Sequence, residues 1–183
     1  MDGEPPGPLG LHFGRGVLSL GAGISLPTGE PEEFAPSTDP IPNSSLQTGT
    51  GTYDPLVTAV YSQSIDAGSA FASFAARIPG GENRFDYLTG LGLQASLGAV
   101  IPAGESWDVL AKVTYVHTEP DELDGRDAFA TGGDVVALAP GVRVGLAENV
   151  DLEVTIDVPV FYDLETQALV PWARLAAGLT VTF

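Results

Sequence analysis

The stretch Arg84-Phe85-Asp86-Tyr87-Leu88-Thr89-Gly90-Leu91-Gly92-Leu93-Gln94-Ala95-Ser96-Leu97-Gly98-Ala99 decides the fold class. Phe85, Tyr87, Leu91, Leu93, Ala95, Leu97 and Ala99 alternate with Arg84, Asp86, Gly90, Gly92, Gln94, Ser96 and Gly98. Successive side chains of a strand point to opposite faces, so the segment has one oily face and one small or polar face. A helix would repeat its apolar positions about every 3.6 residues instead.

The same period returns on both sides of this stretch. Before it, Leu18, Leu20, Ala22, Ile24 and Leu26 are separated by Ser19, Gly21, Gly23 and Ser25. Val57, Ala59 and Tyr61 then line one face of a second segment, and Ala70, Ala72, Phe74 and Ala76 one face of a third. After it, Trp107, Val109, Ala111, Val113 and Tyr115 alternate with Asp108, Leu110, Lys112 and Thr114. Val136, Leu138, Val142, Val144 and Leu146 face away from Ala137, Ala139, Gly141, Arg143 and Gly145. Val150, Leu152, Val154, Ile156, Val158 and Val160 oppose Asp151, Glu153, Thr155 and Asp157. The last run, Leu169, Ala173, Leu175, Ala177, Leu179, Val181 and Phe183, reaches the final residue. Segments of about 10 residues with this alternation suit the strands of a membrane barrel. The expected fold is therefore an all-β, antiparallel transmembrane β-barrel. About eight strands are visible, forming one domain over residues 1–183 with residues 1–8 as an N-terminal tail.

Alternation alone also fits a soluble sandwich, but the charges and the loops favour the barrel. With the apolar parity outward, Arg15, Arg77, Lys112, Arg143 and Arg174 fall on the other face, as do Asp86, Asp108, Asp151, Glu153 and Asp157. In a barrel that face is a polar lumen, and charges taken from water must find partners there. The connections also alternate, apart from one exception: residues 27–50 and 118–134 are long, 64–68, 101–105 and 147–149 short, and 78–83 and 163–167 intermediate. Short periplasmic turns with longer outer loops give this rhythm, which places both termini on the periplasmic side if the strand number is even.

Composition removes other classes. Seven basic residues stand against 24 acidic ones, for a net charge of −17, so nucleic acid is not an expected partner. No cysteine is present, which excludes disulfides and thiolate metal sites. Charged residues make up only 17%, below the roughly 25% of ordinary soluble domains. Yet no run approaches the ~18 apolar residues of a spanning helix. The opening Met1-Asp2-Gly3-Glu4 lacks the basic start and apolar core of a signal peptide. An outer-membrane location therefore takes the sequence as a mature form or a fragment.

Several local patterns resemble the MetA-pathway phenol-degradation family, a group of outer-membrane barrels. The resembling pieces are Gly23-Ile24-Ser25-Leu26-Pro27-Thr28-Gly29, Thr48-Gly49-Thr50-Gly51-Thr52-Tyr53-Asp54 and Thr131-Gly132-Gly133. Leu138-Ala139-Pro140-Gly141, Val158-Pro159-Val160 and Gly178-Leu179-Thr180-Val181-Thr182-Phe183 complete the set. The resemblance runs from about residue 16 to the end. It implies a Gram-negative outer-membrane protein concerned with passage of small aromatic or other hydrophobic compounds. Its terminal Phe183 resembles the signal that such barrels present to their insertion machinery. The family tends to have more strands before the first of these pieces. The chain reads either as an eight-strand version or as the C-terminal part of a larger barrel.

The candidate lumen lining is Arg15, Arg77, Asp86, Asp108, Lys112, Arg143, Glu153, Asp157 and Arg174. Eight strands leave an interior just wide enough for side chains to fill, so these charges read as a structural network if the barrel closes at eight, and as a selectivity lining if it does not. Asp121, Asp124 and Asp127 are weak metal candidates. Their loop lacks the closing Glu of a calcium loop and reads first as a solvated acidic surface. His117 has acids in the loop after it, but no Ser marks itself as a nucleophile, so no enzyme and no cofactor are expected. Tyr53, Tyr87, Tyr115, Phe161 and Tyr162 suit an aromatic girdle, with Trp107 and Tyr61 at the opposite rim and Trp172 packed inside. Three functions follow. One is a passive porin-like channel in outer-membrane lipid. The second is a closed, non-conducting barrel whose acidic loops bind ions or a partner. The third is a soluble lipocalin-like carrier, which would need the apolar parity inward.

Overall fold

The computed structural model describes residues 10–13, 16–27, 51–83, 86–128, 131–164 and 172–181. Its strands are β1 (Gly10–Phe13), β2 (Gly16–Ser25), β3 (Asp54–Ile65), β4 (Gly68–Arg77), β5 (Tyr87–Leu88) and β6 (Gly92–Pro102). They continue as β7 (Trp107–Thr118), β8 (Glu122–Leu123), β9 (Arg126–Asp127), β10 (Gly133–Ala147), β11 (Val150–Leu164) and β12 (Arg174–Val181). One antiparallel nine-stranded meander runs β1-β2-β3-β4-β6-β7-β10-β11-β12, and β5-β8-β9 form a second, three-stranded sheet. The large sheet curls into a half-barrel.

Each of the eight alternating segments holds a strand of the large sheet, with two differences. The four-residue β1 pairs with the start of β2 and adds a short ninth strand to the eight full-length ones among the described residues. The segment from Arg84 enters the wall only at Gly92. Asn83 folds the chain away first: its carbonyl accepts from the Asp86 N–H (3.1 Å) and its side-chain oxygen from the Tyr87 N–H (3.3 Å). Asp86 then takes a positive φ of 55°.

Register aligns the apolar parities into a belt. Leu18, Tyr61, Ala72, Leu97, Val113, Leu138 and Val158 stand in one row across seven strands. This face is open: Leu97 is 62% exposed, Leu138 47% and Leu175 74%. The opposite face holds the sheet's burial, in Ser96, Val100, Leu110, Thr114, Ala139 and Thr155. Small residues and hydroxyls are buried there beside Val100 and Leu110, while most of the large hydrocarbons of the other face stay exposed. The apolar parity is the exposed one, opposite to the inward parity that the lipocalin-like reading needs.

Glycine matters on the concave face where side chains lie flat. The Phe71 ring covers Gly98, and Leu110 covers Gly141, where an added Cβ would come within 3.2 Å of its Cδ2. Pro140 sits inside β10 with no N–H to give, and the β10–β11 ladder is interrupted there between Leu138 and Gly141. A bulge opposite Val136 and Ala137 leaves Val160 as the extra residue and brings Phe161 level with Val136.

Candidate functional site: the polar concave face

Antiparallel topology puts the short connections, residues 66–67, 103–106 and 148–149, at one end of the sheet. The longer connections, 78–91 and 119–132, lie at the other. The concave charges fall into tiers between these ends. Near the short turns, Asp108 and Glu153 flank Arg143 in one row, and Arg143 Nη2 donates to Glu153 Oε2 at 3.0 Å. At mid-height, Lys112 Nζ lies 3.7 Å from Asp157 Oδ1. Ala139 stands between their strands, and its methyl is short enough for the lysine to cross. Arg174 is the ladder partner of Asp157 on the next strand. Nearest the long loops, Arg77 Nη2 donates to the Gly90 carbonyl at 3.3 Å.

Both ion pairs are partly open, with side chains 27–38% exposed, so each contributes at most about 1 kcal/mol. Their effect is local neutralisation of Lys112 and Arg143, whereas Arg77 is held by a backbone carbonyl and not by an acid. The pairs run along the wall between near-neighbour strands, and among the described residues none reaches across the concavity. Above them lies a row of small or hydroxyl side chains, including Ser19, Ser73, Ser96 and Thr114, with Ser96 Oγ and Thr114 Oγ1 3.0 Å apart.

Of the nine expected lining residues, Arg77, Asp108, Lys112, Arg143, Glu153, Asp157 and Arg174 stand on the concave parity. Arg15 lies outside the described residues, as does Phe183. Asp86 is corrected: it is exposed, lies before the wall begins, and its carbonyl accepts from Asp124 N–H (3.1 Å).

A cap at the long-loop end was not legible from alternation. Asp121, 8% exposed, accepts from the Tyr87 hydroxyl and from the Gly90 N–H (2.6 Å). Its own N–H donates to Thr131 Oγ1 at 2.9 Å, and that hydroxyl donates to the Ala128 carbonyl at 2.8 Å. Asp124 and Gly125, with φ of 52° and 69°, make the two-residue turn joining β8 to β9. Asp121 is thus committed to the fold, whereas Asp124 and Asp127 are exposed. Among the described residues no three His, Asp or Glu side chains converge as a metal site.

The aromatic expectations divide. Tyr53, Tyr115, Phe161 and Tyr162 are exposed, and Trp107 is exposed at the short-turn rim. Tyr61, half-buried, covers Gly16 and donates to Gln63 Oε1 at 3.1 Å. Tyr87 leaves the girdle, being 3% exposed inside the cap, and Trp172 is 89% exposed where packing inside was expected. His117 takes its acid from the adjacent strand, not from the following loop: Asp134 Oδ1 is 2.9 Å from its Nδ1 and accepts from the Tyr115 hydroxyl at 2.6 Å. Asp54, fully buried at the start of β3, accepts from Thr52 (2.7 Å) and the Gly80 N–H (3.1 Å). Neither acid was visible to a reading of alternation, because Asp134 shares the oily parity and Asp54 precedes the first apolar position of its segment.

No known family model matches the chain, and no curated protein sequence matches it.

Proposed function

We propose that the chain forms the wall of an integral β-barrel in the bacterial outer membrane and offers small hydrophobic or aromatic solutes a passive path. The observation that carries this reading is the inverted face preference. A continuous hydrocarbon belt is exposed across the strands while Ser96, Thr114 and Thr155 are buried on the other side. In water each exposed Leu or Val forgoes roughly 1.5–3 kcal/mol of burial, which lipid supplies and solvent does not. Lipid is then the direct partner of the convex face, and the belt's ends carry aromatic residues suited to headgroup depth.

Solute passes the acidic loops and moves along the concave wall past Arg77, Lys112, Asp157, Arg143 and Glu153. Paired charges make that wall polar without a deep well for either sign. Phe71 lies flat over Gly98 and so takes up little of the proposed lumen. This favours a conduit over a closed barrel whose loops bind a partner.

The test is conductance of the detergent-refolded chain in a planar lipid bilayer. Stable stepwise currents are expected, cation-selective at low salt, because Glu82, Glu119, Glu122, Asp124 and Asp127 outnumber the single Arg126 along the described outer connections. A chain that inserts and passes no current would contradict the conduit.

A further inference from the structure

The sheet stops at two edges. Every residue of β12 is exposed, and its one described neighbour is β11. On the other side β1 covers β2 only over residues 16–19, leaving residues 20–25 with no described neighbour on that edge. Hydrocarbon does not tolerate such edges, because no water is present to satisfy the free N–H and C=O groups. This inference therefore rests on the membrane reading.

Four features say what completes the edges. The curl is that of half a barrel, so the missing half is about as large as the chain itself. Direction agrees: β2 runs from the short-turn end to the long-loop end and β12 runs back, so the two edges pair antiparallel. A copy rotated about the barrel axis keeps its loops on the same side of the membrane and presents β12 to the free part of β2. Parity agrees too. Leu20, Ala22 and Ile24 come level with Val181, Leu179 and Ala177, which extends the convex belt without a break. On the concave side the same register sets Gly21 and Gly23 against Thr180 and Gly178, so nothing bulky closes the lumen there. Lastly the eight residues of β12 are enough to cover the six free residues of β2.

We propose that two copies close one barrel, the β12 of each pairing with residues 20–25 of β2 in the other. The full-length strands then number about sixteen, a size at which barrels enclose an aqueous channel and not a side-chain plug.

The chain has no cysteine, so disulfide trapping reads the seam without background. Ala22→Cys and Leu179→Cys variants are refolded together in detergent, reconstituted in vesicles and oxidised. The expected product is a band of twice the 18.9 kDa chain mass, formed when the two variants are mixed and by neither alone. Gly23→Cys mixed with Leu179→Cys, whose side chains point to opposite faces, should give none. The double variant carrying both cysteines separates the alternatives: a bond within one chain means closure by the chain's own edges and overturns the proposal. Vesicle-inserted protein with no cross-chain bond overturns it as well, while leaving the membrane reading standing. A chain that does not enter vesicles sinks both. The mass of the unmodified chain in detergent is the independent measurement, with two copies expected and one copy contradicting the seam.

Discussion

At Ser96 and Leu97 the logic of the molecule is visible in two neighbouring residues. The hydroxyl is 5% exposed and bonded to Thr114, and the leucine beside it is 62% exposed. A substitution should therefore act by face and not by residue type. Leu97→Arg puts a cation into the hydrocarbon belt and is expected to cost about 2–4 kcal/mol of stability in bilayers. Ser73→Arg, one strand from Ser96 on the concave face, should cost far less, because its charge meets water. Denaturant titration of the two variants in vesicles checks this, and equal costs would contradict the assigned faces.

Elements differ in how well alternation reveals them. It showed every full-length wall strand, because a two-residue period survives wherever one face meets hydrocarbon and the other does not. The cap escaped it. Tyr87 shares the odd parity of Leu93 and Leu97 but is turned from the wall by the Asn83 turn and the positive φ of Asp86. Such turns are set by single residues, and an oily residue before one looks the same as an oily residue in a strand. The four-residue β1 is too short to show a period at all. The concave tiers were largely legible, since most of the charges in the wall segments, though not Asp134, sit on the polar parity. Their partners were not, because pairing Lys112 with Asp157 needs the register and the short Ala139 between. The cap also behaves as a unit of its own. Asp121→Ala removes the bond from the Tyr87 hydroxyl and leaves the Gly90 N–H without its acceptor, the latter at about 1–3 kcal/mol. Limited proteolysis should cut faster within residues 86–91 and 119–128, while the heat-dependent gel shift expected of a barrel wall persists. Loss of that shift together with the cap would show that the two are one cooperative unit.

Among the described residues the whole molecule is an oily belt backed by a polar wall. Conduction, selectivity and the two-copy seam all depend on the belt facing lipid. The most direct test is a nitroxide scan, one cysteine at a time, over residues 93–99 of the vesicle-reconstituted protein. The account predicts a period of two. Labels at 93, 95, 97 and 99 should be relaxed chiefly by oxygen dissolved in lipid, and labels at 94, 96 and 98 by a water-soluble nickel chelate. Uniform access of the chelate to all seven positions, or a chain fully folded in plain buffer, would contradict it.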